Sequence, residues 1–221
     1  MRALDLKLLR DLAHIWAQAL AVALVMACGV ATIVIAVDAY RSLDATRSAF
    51  YERYRFGTVF ASAVRAPRHL RSQIANISGV FGVELRIVKP FILDMPGMRE
   101  PGSGLAISLP DHRTPRVNRL YLKSGRLPSP TNDSETAVNE PFATAHGLQQ
   151  GDRFSVVMNG HRRNLSVTGI VHSPEFIYAI GPGDMVPDDR RFAIIFMPQR
   201  TLAGLFDMEG AFNNLAIALR K

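Results

Sequence analysis

Polar side chains all but vanish between Ile15 and Val37, where Gln18 is the one strongly polar residue and none is charged. At about 1.5 Å per residue a helix over this run is roughly 35 Å long, enough to cross a bilayer's hydrocarbon core with some tilt. The run exceeds the roughly 7–15 apolar residues of a cleaved secretory signal. Ahead of it, Leu4, Leu8, Leu12 and Ile15 share one helical side while Arg2, Asp5, Arg10 and Asp11 lie elsewhere. This pattern predicts an amphipathic interfacial segment over 1–14, with Trp16 as an interface anchor. Beyond the run, Tyr40, Leu43, Arg47, Phe50 and Tyr54 follow steps of three and four, with Asp38–Arg41 and Asp44–Arg47 as i,i+3 pairs. The helix is therefore expected to continue as a stalk over 38–57, ending near Phe56. Within the run Ala19, Ala23, Ala27 and Ala31 recur on one face, beside Cys28 and Gly29. Small residues at this spacing let a second helix approach closely, though alanine is also simply common in membrane helices.

The remaining residues, 58–221, alternate short patterns. Strands are expected at Thr58–Val64, Val83–Leu93, Leu105–Leu109, Glu135–Asn139, Phe192–Phe196 and Asn214–Leu219. Short helices are expected from Pro67 to about Ile77, stopped by Gly79, over Glu140–His146, stopped by Gly147, and over Pro198–Leu205. The clearest local signal joins Arg153–Met158 to Arg163–Val171 through Asn159-Gly160, two residues that tolerate positive φ and so favour a tight hairpin. Loops are expected over Met95–Gly104, Thr114–Asp133 and Gly181–Asp189. The fold class is α+β: one N-terminal transmembrane helix over 15–37 with a helical stalk, then a mixed domain containing a β-hairpin.

Charge sharpens this picture without reversing it. A net charge of +7 fits nucleic acid or an anionic membrane surface. Yet the basic residues are scattered, with pairs such as Arg162-Arg163 as their longest clusters, and no aromatic-interleaved basic stripe is present; membrane proximity is the better reading. Orientation stays open on charge: Arg2, Lys7 and Arg10 precede the span, and Arg41, Arg47, Arg53 and Arg55 follow it closely. Cys28, the sole cysteine, sits in Val25-Met26-Ala27-Cys28-Gly29, a loose lipobox, so a lipid-anchored module is an alternative to a span. Against it, Gly29–Val37 stays apolar where a lipid-anchored chain usually turns polar.

Enzymatic signatures are missing. The chain contains no phosphate loop of the Gly-x-x-x-x-Gly-Lys type, no Gly-x-Ser-x-Gly elbow and no His-Glu-x-x-His pair, and it is not expected to be an enzyme or to hold a cofactor. His172 and Glu175, followed by Asp184, Asp188 and Asp189, are the only cluster resembling metal ligands. They lack any recognised ligand spacing, and a solvated acidic loop or a cap accounts for them better.

An ordered series of short motifs points further: Leu122–Pro128 with Gly125 and Arg126, Ser134–Glu140 with Glu135, Ala143–Leu148, Gly151-Asp152, the Asn159-Gly160 turn, and Val167–Val171 with Gly169. In this order, after one N-terminal span, the series resembles the FtsX-like, MacB-type permeases of ABC transporters. Ile77–Val80 and Pro187–Phe192 look like further stretches of that family. The resemblance implies an N-terminus in the cytoplasm, one crossing of the bacterial inner membrane, and an extracytoplasmic MacB-like core domain over 58–221. It implies as partners an ABC ATPase subunit, further permease helices or a second permease subunit, membrane lipid and a periplasmic adaptor, with no nucleic acid. It also implies that Gly125, Arg126, Glu135, Gly151, Asp152 and Gly169 are structural before they are functional. Where that family continues into more membrane helices, this sequence ends at Arg220-Lys221, so the expectation is a truncated, fragmentary or split permease.

Overall fold

In the computed structural model, which describes residues 7, 10, 14–95, 98 and 100–220, the apolar run lies inside one continuous helix, α1 (Trp16–Arg53). None of its residues is buried, and it is long and apolar enough to cross a membrane. Its two threonine hydroxyls bond within the helix: Thr32 Oγ1 donates to the Cys28 carbonyl and Thr46 Oγ1 to the Ser42 carbonyl, each at 2.8 Å. The amphipathic segment expected over 1–14 falls almost wholly outside the described residues.

Residues from Tyr51 onward form a separate compact unit. After α1 the chain runs β1 (Val59–Pro67), α2 (Leu70–Ala75), β2 (Val80–Arg86), β3 (Val88–Asp94), β4 (Gly102–Leu109), β5 (Tyr121–Gly125) and β6 (Glu135–Asn139). It continues through α3 (Glu140–His146), β7 (Arg153–Met158), β8 (His161–His172), β9 (Phe192–Pro198), α4 (Gln199–Leu205) and β10 (Ala211–Leu219). The fold is thus α+β, as the alternating patterns imply.

Two sheets share the work. The smaller is antiparallel in the order β1-β10-β2. One of its faces buries Val83, Leu85 and Phe212 under Leu70 and Ile74 of α2. The larger has the order β5-β8-β6-β9-β4-β3-β7, and a further β7–β8 pairing closes six of its strands into a ring, with β5 alongside β8. Closure removes free edges from those six strands. Leu93, Val138, Val156, Leu165 and Ile195 are fully buried in its main core together with Phe142 of α3 and Leu202 of α4. Each such side chain contributes about 1.5–3 kcal/mol by leaving water.

Between the sheets the chain passes through one residue. The sequence pattern predicts a single strand over Val83–Leu93, but the structure breaks it at Ile87 into β2 and β3, which belong to different sheets. Side chains replace the ladder at this corner. Ile87 N–H donates to Ser108 Oγ at 2.8 Å, and its carbonyl accepts from Ser108 N–H at 2.9 Å. The Asn213 amide then pairs with both backbone groups of Val88, at 2.8 and 2.7 Å, as a strand would.

Other expectations differ in detail. Pro67 ends β1 instead of opening a helix, since an edge strand tolerates its missing N–H. The loop expected over Thr114–Asp133 contains β5, whose residues are all exposed and so lack an alternating signal. The hairpin forms as its sequence dictates, with Asn159 at φ +48° and Gly160 at φ +78°. Gly147 ends α3 at φ +63°.

Candidate functional site

The long helix stops three residues before its expected end. Arg55 takes φ +50°, Phe56 N–H donates to the Tyr51 carbonyl at 2.9 Å, and Arg55 N–H donates to the Glu52 carbonyl at 3.2 Å. This is a Schellman cap with arginine where glycine is usual. Its accompanying hydrophobic contact is present too, Tyr51 and Phe56 having ring centroids 4.8 Å apart. The Arg55 guanidinium lies over the Phe81 ring, 5.5 Å from its centroid, a contact that helps hold arginine in this backbone region.

Asn118 holds the residues that follow. It is itself at φ +52° and 6 % exposed. Its N–H donates to the Arg55 carbonyl at 2.9 Å, and its Oδ1 accepts from Gly57 N–H at 2.7 Å. Arg119 N–H adds a bond to the Tyr54 carbonyl at 2.8 Å, and Thr58 N–H reaches the Ile217 carbonyl of β10 at 2.7 Å. A side chain at Gly57 would press on Phe60 and on Val117, whose side-chain carbons lie 3.0 and 3.2 Å from the added Cβ.

From Asn118 the bonding runs inward. Its Nδ2 donates to Glu175 at 2.7 Å, and Glu175 is gripped bidentately by Arg86, whose other donors reach Asn214 Oδ1 at 3.0 and 2.6 Å. Glu84, two residues earlier on the same face of β2, accepts from Arg113 Nη1 at 2.9 Å, from Arg113 Nη2, and from Arg116 N–H at 2.7 Å. Arg86 is 5 % and Glu84 2 % exposed. Two buried ion pairs thus hang from one strand, and the outer one connects directly to the chain leaving the helix. Buried pairs of this kind contribute little net stability, but losing one partner costs about 3–5 kcal/mol. The arrangement ties residues 54–58 to β2 and β10 through Asn118, Arg119 and Glu175.

The alternation of Glu84 and Arg86 with apolar Val83 and Leu85 is legible in the sequence as a strand with a charged face, but the burial of that face is not. The partners Arg113, Asn118, Glu175 and Asn214 lie too far along the chain for any periodicity to assign them.

The six motif residues occupy a second place, around Ser166–Gly169 of β8. Gly151 N–H donates to the Val167 carbonyl at 2.8 Å, and Val167 N–H donates to the Asp152 carbonyl at 2.9 Å. Arg126 N–H donates to the Thr168 carbonyl at 2.8 Å, at a bulge where β6 skips Thr168. Gly125 and Gly169 face each other in register, and a Cβ on either would meet backbone oxygen, Thr168 O at 2.2 Å or Arg126 O at 2.4 Å. Glu135 accepts from Arg126 through both oxygens, at 2.7 and 2.6 Å, and from Ser129 N–H at 2.8 Å. The Arg126 guanidinium holds the Glu135 carboxyl below its ordinary pKa, against the opposing pull of burial. Lys123 does the same for Glu140, at 2.8 Å.

The remaining sequence candidates separate. Glu175 is committed to Arg86 and Asn118, while His172 stacks on Tyr121 and has its Nε2 4.0 Å from Glu140. Asp188 caps the turn ahead of β9 by accepting from Arg190 and Arg191 N–H at 3.0 and 3.2 Å. Among the described residues no three potential ligands converge. Ala23, Ala27 and Ala31 are exposed on α1, and Ala19 is half-buried.

The sequence matches no protein-family model and no curated protein. Among solved structures it is similar to the extracellular domain of the noncanonic ABC-type transporter YknZ from Gram-positive bacteria, at 12 % identity over 71 % of this chain and 74 % of that one, with a TM-score of 0.46. It is also similar to the periplasmic region of MacB from Actinobacillus actinomycetemcomitans, at 12 % identity over 73 % of this chain and 67 % of that one, with a TM-score of 0.42.

Proposed function

We propose that this chain is a membrane permease component of an ABC transporter, which couples ATP hydrolysis by a partner ATPase to motion of an extracytoplasmic domain, for export or for mechanical transmission. One observation carries the reading. After the unburied apolar helix, Asn118 binds both Arg55 and Gly57 and is itself bonded to the buried Glu175–Arg86 pair. The ordered motifs add weight, because all six of their marked residues gather on one stretch of β8.

In this reading the N-terminus is cytoplasmic, the chain sits in a bacterial inner membrane, and the face of Ala19, Ala23, Ala27 and Ala31 packs against further permease helices or a second subunit. A periplasmic adaptor is a further partner of the extracytoplasmic domain. Mild-detergent purification of the tagged chain from its own cells tests the reading: an ATPase and additional membrane segments are expected to copurify in fixed ratio. A solitary chain under several detergents overturns it. Mass spectrometry of the N-terminal region decides the lipid-anchored alternative, since a chain beginning at acylated Cys28 excludes a span.

A further inference from the structure

The loop between β8 and β9 presents large apolar side chains to solvent from a backbone held by two turns. Phe176, Ala179 and Gly181 sit inward, on the core cluster that contains Phe192 of β9. The residues between them face out: Ile177 and Ile180 are half exposed, and Tyr178 is 79 % exposed. In the first turn Asp184 N–H donates to the Gly181 carbonyl at 3.1 Å; Pro182 presets the first central position, and Gly183 takes φ +87° at the second. The ends of such a turn lie within about 7 Å of each other, so Ile180 and Met185, 95 % exposed, flank it as neighbours, with Val186, 69 % exposed, next in line. In the second turn Arg191 and Phe192 N–H donate to the Asp188 carbonyl at 3.1 and 2.9 Å.

Apolar side chains gathered on one exposed loop mark a contact site, where singly scattered ones would not. With both turns already closed, the loop gives up little conformational freedom on docking. Charge then selects the occupant. Asp184, Asp188 and Asp189 border the apolar tip, and none of them forms an ion pair among the described residues. Arg191 is taken by Glu100 at 3.0 Å, which leaves Arg190 alone beside three acids in a chain whose net charge is +7. An anionic lipid surface repels such a border. A second copy meeting the loop face to face about a two-fold axis sets acid against acid. An apolar groove edged by Lys or Arg on a different protein complements both the tip and its border.

We infer that the loop over 176–189 is a docking element for a different protein, its apolar tip seated in a groove with a basic edge. The inference stands apart from the permease reading, because a lipid-anchored module would present the same loop.

Photocrosslinking of the full chain in its own membranes tests it, with benzoylphenylalanine in place of Tyr178 or Met185, and in place of Val64 of β1, 91 % exposed, as the control position. A discrete adduct with one other protein is expected from both loop positions and not from Val64, and the crosslinked partner peptide should carry Lys or Arg beside apolar residues. Reversing the border with Asp184→Lys and Asp189→Lys together is expected to lower the adduct yield about fivefold or more. Both acids are exposed and unpaired among the described residues, so the melting curve should stay unchanged, which separates a lost contact from a folding defect. Raising the salt concentration should lower the yield as well. An adduct with lipid or with a second copy of the chain, a yield no higher than at Val64, or a yield indifferent to the charge reversal would each overturn the proposal.

Discussion

Replacing Glu175 by Gln leaves the Arg86 guanidinium, 5 % exposed, facing Asn214 without its counter-charge. Breaking a buried pair from one side costs about 3–5 kcal/mol. The Glu175 side chain keeps 17 % of its exposure, so water reaches the site and the low end, about 3 kcal/mol, applies. For a unit of this size each kcal/mol moves the melting temperature by about 2–4 °C, giving a fall of roughly 6–12 °C. The assay is thermal unfolding of the full chain in detergent by near-UV circular dichroism, read in the tyrosine and phenylalanine bands because the single tryptophan, Trp16, lies on α1. Hydrogen exchange at Gly57, Thr58 and Asn118 is expected to quicken at the same time, because the Asn118 side chain loses its anchor. Arg86→Met completes a cycle: with both changes present the loss should fall short of the two single losses combined by about 2 kcal/mol. A fall below about 2 °C for Glu175→Gln, or additivity within about 0.5 kcal/mol, would refute the idea that the pair acts as one unit.

Other outcomes are expected elsewhere. The depressed pKa of Glu135 means that its ionised form stabilises the fold above the ordinary glutamate value of about 4.3, and that this contribution is lost as the pH falls through the lower folded value; Glu135→Gln should flatten the acid side of a stability-against-pH curve. Gly147→Ala should cost about 1 kcal/mol, from positive φ alone, with open space around the new methyl. Gly125→Ala should cost about 3 kcal/mol or more, because the methyl also collides with Thr168 O; equal costs by chemical denaturation would show that the contact relaxes freely. Ala27→Leu should reduce copurification of other membrane segments while leaving the domain's melting curve unchanged; an unchanged yield of those segments would remove this face from any helix contact.

What the sequence makes legible follows from how far apart the determinants lie. The long apolar helix, the Asn159-Gly160 hairpin and the α3 stop at Gly147 rest on residues within a few positions of each other, and they form where expected. The helix end is misjudged because Arg55 adopts a conformation normally left to glycine, and what supports it, Asn118 and Phe81, is remote in the chain. The break at Ile87 is hidden for the same reason: Val83–Leu93 carries a strand-like pattern across it, and what interrupts its ladder, Ser108 and Asn213, comes from other strands. β5 escapes notice because an exposed strand leaves no alternation to read. The motif residues were visible as a series, while their convergence on one bulge of β8 depends on strand pairing that no local pattern specifies.

Ile87 deserves a kinematic reading. Two sheets joined in series through one residue have, at that point, only its φ and ψ as degrees of freedom, and Ser108 constrains both by engaging the N–H and the carbonyl together. Rotation of the small sheet against the ring strains those two bonds together with the pair that Asn213 of β10 makes to Val88 of β3. The serine hydroxyl and backbone amide thus act as a latch on a one-residue axle, and Ser108→Ala would leave the axle in place with half of its latch removed.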